Sequence, residues 1–383
     1  MNCAKVPLCI VPARYFKMQN DLRDSRITIL VVTTALIAFG VIMIYSSSAV
    51  YAYENFHDNF HFLRRHLASL FLGVVLALYF MNVNLHVLRK YSRPLMLISF
   101  LLLIIVLVPG VGVSVGGARR WLKIGGVTFQ PVEIVKPIFL LYIADFLDRK
   151  SVKKYSLFGV FAPLLVIIGA MCGLVLLQPD LGSSFELGAL GMLLLFLYGA
   201  DIKHLLFVFA AGIPVLYYLV LSIPYRASRM LAFINPWKDP QGTGFQIIQS
   251  FVALGCGGLL GVGLGYSKQK LFYLPEAHTD FLFSIIGEEL GLAGTALVVI
   301  LFAVLVWKGI TLAFRKDSEF SRLLALGISS TIGLEAAINI GVSTGVLPTK
   351  GLPLPFMSYG GTSLVIHMIL LAMLLNIGRE NVR

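Results

Sequence analysis

The stretch YLPEAHTDFLFSIIGEELG (273–291) gathers Glu276, His278, Asp280, Glu288 and Glu289 at the edge of, and inside, a long apolar run, in a chain with only 19 acidic residues. Upstream, YRASRM places Arg226 and Arg229 three apart, on one face of a helix, and YSKQK adds Lys268 and Lys270. Guanidinium forks and ammonium point charges are what a phosphate or diphosphate group needs, and His278 and Asp280 converge on the same stretch. A carboxyl at the first turn of an apolar helix is pulled two ways. The helix dipole favours its ionised form, and apolar surroundings oppose it. Asp280 is therefore a candidate general base toward a hydroxyl, a candidate ligand for a divalent cation such as Mg²⁺ or Mn²⁺, or a helix cap.

A second polar set lies in GGARRWLKIGGVTFQPVEIVKP (116–137). Arg119, Arg120 and Lys123 precede a turn. Glu133 and Lys136 then stand three apart, a spacing that lets them pair on one helix face. Two readings fit: a structural intramembrane salt bridge, or one wall of a polar cavity that takes a charged headgroup, with Arg119 and Lys123 among its anion contacts. In LQPDLGSSF (177–185) Asp180 is placed to cap the next helix, and Glu186, one turn in, is expected to face inward. Glu288 and Glu289, two turns beyond Asp280, are expected to pair with neighbouring helices.

The elements that must position these groups follow from composition. The 383 residues are 58% hydrophobic and 13% charged, with a mean hydropathy of +0.86, against about 25% charged residues in soluble domains. Repeated apolar runs of about 17–25 residues define an all-α integral membrane protein. About ten spans are expected: 27–47, 67–83, 94–109, 132–147, 157–177, 182–199, 204–224, 280–306, 322–345 and 362–378. The net charge of +12 resides between the apolar runs, which points to topology and anionic lipid and not to nucleic acid. More than half of the 31 Lys and Arg residues fall on the side of the N-terminus, which places that end in the cytoplasm and Asp280 at the outer face.

The expected organisation is a cytoplasmic tail (1–26, with Met18 a possible second start), one membrane domain (27–378) and a short cytoplasmic end (379–383). Residues 226–279 form a long outer loop. Its 245–264 segment is apolar enough to span, but crossing would move most of the later basic residues outside, and Gln246, Gln249 and the clustered glycines disfavour a lipid-facing helix. A re-entrant or interfacial helix is expected there. A Cys172–Cys256 bridge is conceivable, although unpaired thiols are expected; Cys3 and Cys9 lie in the tail.

Five motifs in order, GGARRWLKIGG…FQPVEIVKP, QPDLGSS, FINPWKDPQGTGFQIIQS, GLGYSKQKLFYLPEAHTDFLFSIIGEELGL and GVLPTKGLPLPFMSYGGTSL, resemble the SEDS family of cell-division, rod-shape and sporulation membrane proteins. The likeness runs from about residue 27 to the C-terminus and leans toward the septal branch. It implies a peptidoglycan glycosyltransferase that polymerises lipid II on the outer face of the bacterial cytoplasmic membrane, at the division septum. The implied partners are a class B penicillin-binding protein, divisome regulators and the undecaprenyl-diphosphate-linked glycan. The family's essential aspartate falls on Asp280, its glutamate–lysine pair on Glu133 and Lys136, and its arginines before FINPW on Arg226 and Arg229. Val132 stands where the family pattern usually has serine, and Glu186 is outside that pattern. A lipid flippase or transporter is the alternative. Transport would need polar groups along the whole path, whereas Glu133, Lys136, Asp180, Arg226 and Asp280 gather toward the outer side.

Overall fold

The computed structural model describes residues 13–115, 118–150 and 157–379. The tail residues Cys3 and Cys9, Gly116 and Gly117, Lys153, Lys154 and 380–383 lie outside the described residues. Helices α1 (Ala13–Phe56), α2 (His61–Phe80), α3 (Leu85–Lys90) and α4 (Ser92–Ile105) lead into strands β1 (Gly112–Val115), β2 (Ala118–Ile124) and β3 (Val127–Phe129). There follow α5 (Pro131–Arg149), α6 (Ala162–Leu177), α7 (Leu181–Tyr198), α8 (Ile202–Leu221), α9 (Pro224–Ile234) and α10 (Phe245–Gly257). The chain ends with α11 (Leu282–Phe314), α12 (Glu319–Ser343) and α13 (Gly361–Ile377).

Each expected span coincides with a helix, and seven of the described helices are long and apolar enough to cross a membrane. Helix α4, with 14 residues, and α13, with 17, are shorter. Helix α5 carries Glu133, Lys136, Asp145 and Asp148 in its 19 residues. The first span is longer than expected, because α1 starts at Ala13, within the segment expected as a tail, and runs on to Phe56. Helix α12 is the axis of the bundle: 72% of its apolar window is buried, against 6% for α8. It packs on α5, α7, α11 and α13, while α8 turns Phe207, Phe209, Tyr217 and Tyr218 outward. Cys172 and Cys256 are unbridged.

One element is absent from the sequence reading. Residues 112–129 form a three-stranded antiparallel sheet ordered β1–β2–β3. The β2–β3 hairpin closes on Gly125 (φ 58°) and Gly126 (φ 85°), with Ile124 opposite Val127. Two-residue hairpin turns with both central φ positive admit glycine best.

Helix α10 has 13 residues, about 20 Å at 1.5 Å per residue, too short to cross a core about 30 Å thick. It lies against α11, where Gly257 lets the backbones meet: a Cβ there would stand 1.8 Å from Gly287 O. Helix α11 is broken at Gly291 (φ 65°, ψ −159°), and the loop after α10 occupies the break. Val262 and Gly263 donate to Glu288 O and Glu289 O at 3.0 Å, and Leu292 and Ala293 donate to Gly258 O and Leu259 O at 2.9 and 3.1 Å. The glycines of 257–263 thus satisfy a helix break that lipid would leave bare.

Gly291→Ala tests this joint. Its backbone region is nearly closed to other residues, at a cost of about 1–3 kcal/mol, and the new Cβ would stand 2.6 Å from Leu259 O. A lower thermal midpoint in detergent is expected; an unchanged midpoint would show that the break is not required.

Candidate active site

Helix α5 begins at Pro131, directly after the sheet, and carries Glu133 and Lys136 inward. Lys136 Nζ lies 2.9 Å from Glu133 Oε1, 3.1 Å from Glu186 Oε1 on α7 and 2.8 Å from Glu335 Oε1 on α12. Glu335 Oε2 lies 2.8 Å from His367 Nε2 on α13, and His367 Nδ1 is 2.7 Å from Ser363 O. All five side chains are buried. A lone ammonium in this setting would be prohibitive, and surrounding carboxylates compensate it. The expected pair is therefore part of a four-helix ionic knot. Glu186 faces inward as expected. Glu335 and His367 escaped the sequence reading, although single ionisable residues in apolar spans were a signal for both.

One turn beyond Glu335 along α12, the Asn339 amide donates to Asp280 O at 2.9 Å and to Leu352 O at 2.7 Å. This bond pair ties the acidic loop to the α12–α13 connection. Residues 349–352 of that connection then reach three further groups. Thr349 O accepts from Arg229 Nη1 at 3.2 Å. Lys350 Nζ donates to Gly182 O. Gly351 runs so close to Asp280 that a Cβ there would be 2.8 Å from Oδ2. Asp180 caps α7, accepting from Ser183 N at 3.0 Å. Arg120 donates to Pro179 O and brings Nε within 3.8 Å of Asp180 Oδ2. Asp280, Arg229, Lys350 and Arg120 thus share one end of the bundle.

Burial raises the Asp280 carboxyl to about 7, with a further upward push from Glu276 and a downward pull from Arg229. Burial also lowers Lys350, against the pull of Glu186 and Asp180. Burial lowers Arg226, and Arg120 adds to the effect. Asp280 is thus a carboxyl poised between its two forms near neutrality, with Arg229 the cation acting on it.

Several expected anion contacts lie elsewhere. Lys270 is buried, and its Nζ donates to Glu289 Oε1 at 2.9 Å, Gly265 O at 2.7 Å and Ser46 Oγ at 3.2 Å, so its three protons are already used. Lys268 keeps an exposed side chain while its backbone N–H donates to Glu288 Oε1 at 2.9 Å. It borders a cavity of about 520 Å³ between α1 and the loop, whose lining does not include Asp280. His278 is buried among Phe62, Tyr51 and Tyr359, with ring centroids 4.6, 5.7 and 5.7 Å away. Burial lowers its pKa and favours the neutral ring. His278 therefore packs the loop and is not a cation for a phosphate. Arg119 and Lys123 are exposed on β2, whereas Arg120, left unpaired where the β1–β2 register shifts between Trp121 and Arg119, turns to Asp180. Arg226 Nη1 donates to Leu219 O at 3.1 Å. Among the described residues no group of three metal-ligating side chains occurs; Asp280 has only Glu276 as a carboxylate acting on it.

The family model described as cell cycle protein, the FtsW/RodA/SpoVE family, matches residues 26–383. The chain belongs to this family. A probable peptidoglycan glycosyltransferase FtsW from Geobacter metallireducens is 43% identical over 94% of this chain and 97% of its own. Stage V sporulation protein E from Bacillus subtilis is 42% identical over 94% of this chain and 99% of its own. Among solved structures, a chain from work on structural coordination of polymerization and crosslinking by a peptidoglycan synthase complex is similar with a TM-score of 0.76, at 30% identity over 93% of this chain and 98% of that one. The rod shape determining protein RodA of Thermus thermophilus gives 0.69 at 27% identity, over 93% and 97%. The ionic knot and the Asp280 turn therefore lie inside an FtsW/RodA/SpoVE membrane fold.

Lys136→Met should lower the detergent thermal midpoint sharply, because breaking a buried ionic group by removing one partner costs about 3–5 kcal/mol. If the midpoint holds, the three carboxylates do not depend on that ammonium.

Proposed function

We propose that this chain is a peptidoglycan glycosyltransferase that polymerises lipid II at the outer face of the bacterial cytoplasmic membrane, in septal wall synthesis. The observation that carries the reading is Asp280: a carboxyl raised to about 7, fixed through its backbone by Asn339 and facing Arg229. The peptidoglycan glycosyltransferase relatives and the family match give the reaction class.

In this mechanism the acceptor sugar hydroxyl of lipid II attacks the anomeric carbon of the growing strand. The C–O bond to undecaprenyl diphosphate breaks, the diphosphate departs with the electron pair, and the anomeric centre inverts. The hydroxyl proton passes to an Asp280 carboxylate oxygen. General-base catalysis supplies about 100- to 10,000-fold; positioning of the two lipids and stabilisation of the leaving charge supply the rest. Arg229, Arg226 and Arg120 are the cations for that charge. Mg²⁺ typically binds through one or two carboxylates and substrate phosphates, a donor set that Asp280 could begin. A divalent cation bound there would neutralise leaving-group charge.

The synthase-complex likeness supports a class B penicillin-binding protein as partner, with divisome regulators. The septal role rests on the FtsW relatives; the sporulation relative is as similar, so rescue of a division-arrested strain lacking its own FtsW decides between them.

Asp280→Asn should abolish lipid II polymerisation by the purified protein with its transpeptidase, with folding retained; near-normal chain synthesis would exclude the base role. Because the ionised carboxyl is the active form, the rate should fall about tenfold per pH unit below about 7 and level off above it. A flat profile between pH 5 and 8 would remove Asp280 from the rate-limiting proton transfer. Arg120→Ala should cut polymerisation at least about tenfold, as for loss of one charge-assisted contact, while Arg119→Ala leaves it within twofold of wild type. Equal losses would overturn the inward assignment of Arg120.

A further inference from the structure

At the other end of the bundle, a cavity of about 360 Å³ opens between α3, the start of α4 and the end of α5, and its wall includes Arg89, Lys90, Arg93, Arg149, Ser92 and Asp145. Buried Asp145 organises this wall. Its Oδ1 accepts from Arg89 Nε at 3.0 Å, and its Oδ2 from Ser92 Oγ at 2.6 Å and Arg149 Nη2 at 2.5 Å. Arg89 also pairs with Asp148 at 2.5 Å and lies over the Phe320 ring at 5.1 Å. Two carboxylates thus hold two guanidiniums in place. Lys90 and Arg93 are exposed and have no ion-pair partner among the described residues, so the wall carries an excess of two positive charges.

The neighbouring surface is apolar. Arg93, Leu97 and Leu101 recur at four-residue spacing on one face of α4, and Leu97 and Leu101 are 66% and 56% exposed. Tyr91, also exposed, stands at the helix start, where an aromatic ring suits the membrane interface. Phe320, against Arg89, and Asn339, against Asp280, are 19 residues apart on α12, about 28 Å along the helix. The cavity therefore opens at the membrane face opposite Asp280, the cytoplasmic face by the Lys/Arg distribution. Its volume holds a phosphodiester with several waters, each needing about 30 Å³.

We propose that this cavity binds the phosphodiester headgroup of an anionic inner-leaflet phospholipid, whose acyl chains lie along Leu97 and Leu101 of α4. Lys90 and Arg93 carry the phosphate charge, and the guanidiniums fixed by Asp145 shape the site. It is separate from the Asp280 site and independent of the polymerase reading.

The test is native mass spectrometry of the full chain in detergent, titrated with phosphatidylglycerol, phosphatidylcholine or inorganic phosphate. The variants are Lys90→Gln with Arg93→Gln, and a charge-matched control, Arg119→Gln with Lys123→Gln. All four positions are exposed, so folding should survive, which the thermal midpoint checks. Phosphatidylglycerol should be preferred over phosphatidylcholine, and the first variant should weaken it at least about tenfold, as for two interfacial basic residues at about 1 kcal/mol each. The control should be unchanged. No preference for the anionic lipid, no loss in the first variant, or an equal loss in the control overturns the proposal. Displacement of phosphatidylglycerol by inorganic phosphate at matching concentration would make the cavity a soluble-anion site and overturn the lipid assignment.

Discussion

The ammonium of Lys136 is the constraint on which the half of the bundle that carries Asp280 depends. Its carboxylate partners come from its own helix, from α7 and from α12, and His367 adds α13. Each carboxylate would be costly in the apolar interior without the others, so the four helices can pack in only one relative height. That height sets the position of the Asp280 turn. Asn339 stands one turn from Glu335 on the most buried helix, and its amide fixes the backbone of Asp280 and of Leu352. A slip of α12 by one turn, about 5.4 Å, would unpair Glu335 and release the Asp280 carbonyl together.

The acidic residues inside the apolar run serve the same end from the other side. Glu289 pairs with Lys270, and Glu288 accepts from the backbone of Lys268 and Gln269 and from the Ser267 hydroxyl. Together with the backbone exchange at the Gly291 break, these bonds fasten the loop that runs through 265–280 to the helix that follows it. Asp280 is thereby held between two anchored segments, and its neighbours bear the structural load.

The helices were legible because length and apolar composition alone define a span, and the short α10 was legible because charge distribution opposes its crossing. The sheet was not read, although Gly125-Gly126 between alternating residues is a hairpin signal; the surrounding basic residues drew the reading toward a polar turn. That omission displaced the cation by one position. The register shift of β1–β2 leaves Arg120 unpaired and turned to Asp180 while Arg119 stays exposed, and without a strand the two are equivalent. Lys268 and Lys270 read alike for a similar reason, since only the fold reveals that Glu289 consumes Lys270. Asn339, Lys350 and His367 act across gaps in sequence of 13 to 168 residues, and no local spacing announces such contacts. Asp280 was legible because an ionisable group at a helix entrance stands out against so apolar a chain.

The balance on Asp280 also gives the site a coupling between its two halves. Burial raises the carboxyl, and Arg229 is the cation that draws it down. In the proposed mechanism Arg229 is also a cation for the departing diphosphate. Negative charge growing near that guanidinium as the C–O bond lengthens would offset its hold on Asp280 and make the carboxylate more basic. Proton affinity at Asp280 would then rise in step with bond breaking, when the attacking hydroxyl becomes acidic. A fully solvated carboxylate would lack this response, since water screens the change at Arg229. A fully unpaired buried one would already be protonated at neutral pH. The half-buried position beside Arg229 keeps the carboxyl poised between its two forms near neutrality, the balance that the proposed proton transfer would use.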